Sequence, residues 1–196
     1  MLYYNINAVK KLTFMKFKNI FVISLLVLIG GLLFLNYKIT NLPPSKILGV
    51  QEGKNNFIGK TALDFSIKDI DGKIFKLSEN KGKTVILFGF ATWCSDCIEE
   101  AKTLTKIKQK YQDKGLEIIG VAFTKEETED SLNRFKKLGN LGIPLSLDTD
   151  NVVNKYKIIN LSTTFIIDKK GKIVYWDEEN TTEETYFREL NKILKE

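Results

Sequence analysis

The pattern of apolar and polar positions after residue 57 predicts strands and helices in alternation. Residues 65–68 and 74–77 alternate around an Asp-Gly pair, which is typical of a β-hairpin. Thr84–Phe90 is a continuous apolar run of strand length and favours a strand buried on both faces. Apolar residues spaced by three and four positions then predict a helix over residues 95–114.

The rest of the chain continues this pattern and closes on an antiparallel hairpin. Thr124 and Glu127 predict a capping box at the start of a helix that runs to Leu138, and Thr181 with Glu184 predicts the start of the last helix. Further strands are predicted at 116–123, 144–147, 163–167 and 172–176, and a short helix at 152–156. This order of elements predicts an α/β sandwich.

The N-terminal part has a different character. Residues 20–35 form a run of 16 residues without a charge, and as a helix this run would be about 24 Å long. Four lysines precede the run and one follows it closely, so the positive-inside rule places the N-terminus in the cytoplasm. We therefore predict a cytoplasmic basic segment (1–18), a transmembrane anchor (19–37), a tether (38–56) and an extracytoplasmic domain (57–196). A cleaved signal peptide and a buried core helix are the alternative interpretations of 19–37; every face of the run is apolar and a basic segment flanks it, which favours a membrane over a core.

The net charge of +6 does not indicate a nucleic-acid-binding protein. Four of the 30 basic residues lie in the first 18 positions, which leaves 26 basic against 24 acidic residues in the remainder. Such a balance is typical of a mixed solvated surface and not of a phosphate-binding stripe.

The chain contains two cysteines and no histidine. The absence of histidine excludes Ser-His-Asp and Cys-His nucleophilic sites and the usual His-containing zinc and copper sites. Cys94 and Cys97 are too close in sequence to hold distant loops together, so their use is local. The predicted chemistry needs no cofactor and no metal ion.

Cys94 and Cys97 fall where the first buried strand gives way to a helix. A helix N-terminus stabilises an anion through its free N–H groups and its dipole, and the thiolate is the form of cysteine that attacks a disulfide. We therefore expect Cys94 to be the exposed nucleophile. Cys97, one turn into the helix, is then the resolving thiol that attacks the mixed disulfide.

The motifs ATWCSDC and LSTTFIID, together with the Asp-Lys-Lys-Gly-Lys turn, resemble the TlpA/ResA-like group of thioredoxin-fold disulfide reductases. The resemblance covers residues 57–195. It implies a thioredoxin-like three-layer sandwich with an N-terminal hairpin, preceded here by one transmembrane helix. It also implies a domain outside the membrane, reduced by a membrane-embedded thiol donor, that reduces disulfides in exported proteins such as apocytochromes.

The same resemblance suggests roles for residues around the cysteines. Trp93 matches the tryptophan that flanks the redox pair, and Leu161 and Ser162 match the substrate-binding loop that faces it. Glu100 stands where some members carry a carboxylate that tunes the thiols; an ordinary solvated glutamate is the alternative interpretation.

Two positions depart from the family pattern. Ser162 stands where the family usually has a cis-proline, and a trans bond between Leu161 and Ser162 is expected because a cis bond before serine is costly. Asp96 replaces the common proline between the cysteines. Its charge should raise the pKa of Cys94 and make the couple more reducing.

Three other functions fit parts of the sequence. A peroxiredoxin-type peroxidase would need a threonine three residues before its cysteine and a proline seven before it. Those positions hold Ala91 and Leu87 counted from Cys94, and Cys94 and Phe90 counted from Cys97. A copper carrier would be expected to have wider cysteine spacing and a histidine. A non-catalytic thioredoxin-like binding protein is the third alternative.

Overall fold

The computed structural model describes residues 28–31 and 57–194. Residues 28–31 form one helical turn. The rest of the predicted anchor 19–37, and the predicted tether 38–56, lie outside the described residues. Among the described residues, no helix is both long enough and apolar enough to span a membrane. Phe57–Glu196 is a compact unit and contains both clusters of buried apolar side chains.

Within residues 57–194, seven strands form two sheets. They are β1 (Ser66–Lys68), β2 (Ile74–Lys76), β3 (Thr84–Phe90), β4 (Leu116–Ala122), β5 (Leu145–Ser146), β6 (Thr163–Ile167) and β7 (Ile173–Asp177). Strands β1 and β2 make the predicted antiparallel hairpin. The other five form a sheet in the order β5-β4-β3-β6-β7. In that sheet β3 pairs in parallel with β4 and antiparallel with β6.

Four α-helices accompany the sheet: α1 (Ser95–Tyr111), α2 (Glu129–Gly139), α3 (Val152–Lys155) and α4 (Glu183–Ile193). Short 3-10 turns follow β2 and α1, at Leu77–Asn80 and Gln112–Lys114. The 3-10 turn at Gln112–Lys114 forms the last part of the helix predicted over 95–114. The predicted helix ends there because Gly115 takes a left-handed conformation.

The five-stranded sheet lies between two apolar layers, as the alternation of side chains in β3 illustrates. Ile86 and Phe88 belong to a cluster with the buried faces of α1, α2 and α4. Val85 and Leu87 point to the opposite face, where the β1–β2 hairpin and α3 pack. All seven residues of β3 are buried, as the continuous apolar run predicted. The result is the three-layer α/β sandwich expected from the sequence.

Residues that precede β3 cover parts of both sheet edges. Gly59 donates a backbone hydrogen bond to Ile173 of β7 (2.7 Å), and Ile173 donates one to Lys60 (3.0 Å). At the other edge, Ile70 donates to Leu145 of the two-residue strand β5 (2.9 Å). The N-terminal segment of this unit is therefore part of the sheet's hydrogen-bonding pattern.

The N-caps predicted for the two helices, Thr124 and Thr181, are wrong, because each helix begins after a later threonine. The N-cap of α2 is Thr128, whose hydroxyl forms a reciprocal capping box with Ser131. The N-cap of α4 is Thr182, which accepts from the backbone of Thr185, and Thr181 is buried. In each place the predicted Thr/Glu pair competes with a second threonine a few residues later, which pairs with Ser131 or with Thr185. Glu127 is engaged by Thr92 and Thr181 is buried, so neither predicted pair forms the cap.

Candidate active site

The two cysteines lie where β3 gives way to α1. Three residues separate Phe90 at the end of β3 from Cys94, which is the N-cap of α1. Cys94 Sγ accepts a hydrogen bond from the backbone N–H of Cys97 at 3.1 Å. The two cysteines are joined by a disulfide, with their Cα atoms 5.2 Å apart. The structure therefore represents the oxidised state of the pair.

The two sulfurs differ in their access to solvent. Cys97 is fully buried in the cluster beneath α1, whereas Cys94 is only half-buried. Trp93 beside it is 68% exposed, and Asp96 in the first turn is also exposed. Only Cys94 is thus accessible to a large partner. This geometry agrees with the roles predicted for a nucleophile and a resolving thiol.

A buried carboxylate fixes the turn before the cysteines. Glu127 Oε1 accepts the backbone N–H of Thr92 at 2.8 Å, and its Oε2 accepts the Thr92 hydroxyl at 2.8 Å. The hydroxyl of Ser131 donates to the same Oε2 at 2.6 Å. Glu127 therefore connects the active-site turn to the start of α2. Local sequence patterns predicted Glu127 only as part of a helix cap and gave no signal of this contact with Thr92.

Glu100 lies one turn beyond Cys97 on the buried face of α1, and it is only 1% exposed. Its Oε1 accepts hydrogen bonds from the Tyr186 hydroxyl at 2.6 Å and the Thr164 hydroxyl at 2.9 Å. No described group makes a hydrogen bond of good geometry to Oε2. The solvated-glutamate interpretation is therefore wrong for Glu100, although it holds for the exposed Glu99.

Burial raises the pKa of Glu100 from 4.5 to about 7, because the charged carboxylate loses its hydration. Hydrogen bonding from Tyr186 and Thr164 opposes this rise, with smaller contributions from the Thr181 backbone and the Ser162 side chain. The same burial raises the pKa of Tyr186 well above its ordinary value. Glu100 is therefore poised to exchange a proton near neutral pH, whereas Tyr186 remains a neutral donor.

Ser162 comes directly before β6, opposite the cysteines, because β6 runs antiparallel to β3. The bond between Leu161 and Ser162 is trans, as predicted. Ser162 has a φ of 59°, in the left-handed region that non-glycine residues rarely occupy. Its hydroxyl lies 3.3 Å from Cys97 Sγ. Leu161 is half-buried and packs against the same cluster as the cysteines.

The arrangement brings most predicted site residues together. Cys94, Cys97, Glu100 and Ser162 form a continuous set from the surface to the core, with Trp93 at its outer edge. The positions that a peroxidase would fill with threonine and proline hold Ala91 and Leu87, and both are fully buried. Among the described residues, no group of three or more cysteine or acidic side chains is placed to hold a metal ion.

Chemically, the site suits thiol–disulfide exchange. An accessible sulfur at a helix N-terminus favours the thiolate that attacks a disulfide. A second sulfur within disulfide distance resolves the mixed disulfide. The buried carboxylate nearby has a pKa suited to moving a proton at neutral pH.

Comparison with known proteins supports this chemistry. Residues 58–176 match the AhpC/TSA family. The chain is 36% identical over 137 residues to the thiol-disulfide oxidoreductase ResA of Bacillus thuringiensis subsp. konkukian, covering 69% of this chain and 78% of the relative. It is 32% identical over 152 residues to the thioredoxin-like protein YneN of Bacillus subtilis, covering 77% and 84%.

A solved structure agrees with the fold. The solution structure of a candidate protein disulfide isomerase from Bacteroides thetaiotaomicron superposes with a TM-score of 0.64 at 32% identity. The superposition covers 71% of this chain and 91% of that structure. The three-layer sandwich is therefore thioredoxin-like. The chain belongs to the AhpC/TSA family and is a thiol-disulfide oxidoreductase of the ResA type.

Proposed function

We propose that this oxidoreductase works as a reductase outside the cytoplasmic membrane, on disulfides of exported proteins such as apocytochromes. A membrane-embedded thiol donor returns Cys94 and Cys97 to the dithiol state after each cycle. The observation that carries the proposal is the cysteine pair at the start of α1, with one accessible sulfur and one fully buried sulfur.

The reaction proceeds in two exchanges. The Cys94 thiolate attacks one sulfur of the target disulfide, which forms a mixed disulfide and releases the other target sulfur as a thiolate. Cys97 then loses its proton and attacks Cys94 Sγ, which releases the second target thiolate. Two electrons pass to the target, and the Cys94–Cys97 disulfide remains.

The charges around the pair support the reducing direction. Asp96 on the first turn, the exposed Glu99 and the buried Glu100 are carboxylates near the helix end that carries the cysteines. A nearby negative charge disfavours the thiolate, and a less stabilised reduced form makes the couple more reducing. The exposure of Asp96 weakens its contribution through solvent screening.

The location is supported by the sequence before residue 57. An uncharged run of 16 residues with four lysines before it suits a membrane anchor with a cytoplasmic N-terminus. A domain anchored on the outer side of the membrane would meet exported proteins there, while their cysteines are still available for reaction. The tether at 38–56 would let the site reach partners near the membrane.

Turnover of insulin disulfides tests the activity directly. The full-length protein in detergent should reduce insulin with dithiothreitol as the electron source, and Cys94→Ser should abolish this turnover. Equal rates for wild type and Cys94→Ser would refute the proposal and favour a binding-only role.

Trapping in cells tests the partners and the location. Cys97→Ala leaves the mixed disulfide on Cys94 unresolved, so captured partners should be exported proteins with cysteine pairs. A reporter fused after Glu196 should behave as extracytoplasmic. Capture of cytoplasmic proteins, or a cytoplasmic reporter, would overturn the proposed location.

A further inference from the structure

The Ser162 hydroxyl is a neighbour of both the buried sulfur of Cys97 and the buried carboxyl of Glu100. It is 3.3 Å from Cys97 Sγ, and it is close enough to Glu100 for its hydrogen bonding to lower the pKa of that carboxyl. Ser162, Cys97 and Glu100 are exposed by 3%, 0% and 1%. Bulk water therefore does not reach the Cys97 sulfur directly.

The two carboxyl oxygens of Glu100 differ in their hydrogen bonds. Tyr186 and Thr164 both donate to Oε1, and no described group makes a hydrogen bond of good geometry to Oε2. A buried carboxylate oxygen without a donor is uncommon and calls for an explanation. A carboxylate with one free oxygen is able to accept a proton without first breaking a hydrogen bond.

A hydroxyl is suited to stand between these two groups, because it donates one proton and accepts another through the same oxygen. The backbone conformation of Ser162 makes this placement notable. A buried serine at a φ of 59° occupies a conformation that glycine would adopt more readily. Such backbone strain is often found at functional sites.

We propose that Ser162 is a proton-relay residue that carries the proton of the Cys97 thiol to the carboxyl group of Glu100 during resolution of the mixed disulfide. The proposal rests on the reductase function proposed above and deepens it. Its basis is geometric: Ser162 contacts the reacting sulfur, and Glu100 is the buried base on the same side of α1.

In the mixed disulfide, the Cys97 S–H proton passes to Ser162 Oγ as the Ser162 hydroxyl proton passes to Glu100. The Cys97 thiolate then forms the bond to Cys94 Sγ, and the bond from Cys94 to the target sulfur breaks. The target leaves as a thiolate with two electrons more than its disulfide held. Glu100 keeps the proton until solvent or the departing thiolate takes it.

The titratable groups that face this relay lie on three elements. Cys97 and Glu100 are on α1, with Cys94 as its N-cap; Tyr175 and Asp177, which accepts the Tyr175 hydroxyl, are on β7, and Tyr186 is on α4. Burial raises the pKa of both tyrosines, so they stay neutral while Glu100 titrates. Among these groups, Glu100 is therefore the base that accepts the Cys97 proton near neutral pH.

A chromogenic aromatic disulfide separates the two chemical steps. When the reduced full-length protein meets an excess of this probe, the first coloured thiolate reports attack by Cys94. The second coloured thiolate reports attack by Cys97. Ser162→Gly removes the hydroxyl and suits the positive φ, and Ser162→Ala removes the hydroxyl without relaxing the backbone.

Both variants should slow the second phase about tenfold at pH 7 and leave the first phase unchanged, which corresponds to one lost hydrogen bond to a charged group. The pH profile of the second phase should move about one unit toward alkaline pH. Lys157→Ala is the matched control, because Lys157 also has a positive φ in the same loop but is exposed. It should change neither phase.

A double-mutant cycle with Glu100→Gln completes the test. If Ser162 and Glu100 act in one relay, the slowing in the double variant should not exceed that of the slower single variant. The relay would be overturned if the slowing in the double variant equalled the product of the two single effects. It would also be overturned if the second phase were unchanged in both Ser162 variants. Failure of the wild type to release any coloured thiolate or to reduce insulin would instead overturn the proposed function.

Discussion

The buried carboxyl of Glu100 should make the stability of the oxidised protein depend on pH. In the oxidised form the cysteines do not titrate, so their protonation does not complicate the measurement. The perturbation is Glu100→Gln, which keeps the shape of the side chain and an acceptor for Tyr186 and Thr164. It removes the ability to ionise and replaces one carboxyl oxygen by an amide NH2 group.

The sign and size of this pH dependence follow from the pKa values of Glu100 in the folded and unfolded states. The folded carboxyl has a pKa of about 7 and an ordinary carboxyl of this type 4.5. The folded state therefore binds the proton more tightly than the unfolded chain, and stability falls as pH rises. The stabilisation is fully present below pH 4.5, is lost as pH rises through about 7, and amounts to about 3 kcal/mol in total.

Urea denaturation of a fragment of residues 57–196 at pH 5 and pH 8 measures this effect. Between pH 5 and pH 8, the free energy of unfolding should fall by roughly 2–3 kcal/mol more in the wild type than in Glu100→Gln. Glu99→Gln is the matched control, because Glu99 is exposed and pairs only with Lys102 among the described residues. It should retain the wild-type pH dependence.

The reasoning would be refuted if wild type and Glu100→Gln lost stability in parallel from pH 5 to pH 8. That result would mean that the buried carboxyl remains hydrated or ionised at little cost. A larger m-value at pH 8 in the wild type alone would instead indicate a change in the exposed surface of one state.

Three further predictions concern the turn before the cysteines, the caps and the thiols. Glu127→Ala should lower stability by about 2–3 kcal/mol in urea denaturation, because it leaves the Thr92 donors without their charged acceptor; a loss below about 0.5 kcal/mol would contradict this role. Thr128→Ala should cost about 1 kcal/mol and Thr124→Ala much less, since only Thr128 caps α2; equal costs would restore the original capping assignment. In the reduced protein, iodoacetamide should alkylate Cys94 faster than the buried Cys97, as mass spectrometry of the peptide would measure; the reverse order would exchange their roles.

Local patterns were enough to predict the elements that depend on short-range information. The bounds of β3 were predicted correctly because the apolar run is uninterrupted and ends at the turn before Cys94. The position of the cysteines relative to α1 also follows from adjacent residues alone. The caps failed because hydroxyl and carboxyl residues repeat near each helix start, and spacing alone does not choose among them.

The partners of Glu100 and Ser162 could not be predicted from local patterns. Thr164 is 64 residues from Glu100 and Tyr186 is 86 residues away, so only the tertiary fold brings them together. Glu100 itself offered one signal, since it lies three residues from Cys97 on the buried side of an amphipathic helix. The contact between Ser162 and Cys97 depends on the antiparallel register of β6 against β3.

The N-terminal segment that bonds to both sheet edges has a consequence for how this protein meets incompletely folded chains. Exposed edge strands invite other extended chains to add to the sheet and promote aggregation. Here residues 59–60 bond to β7 at Ile173, and Ile70 bonds to the very short strand β5. If the oxidoreductase acts on extended polypeptides, as proposed, these contacts would hinder the formation of cross-chain sheets with them.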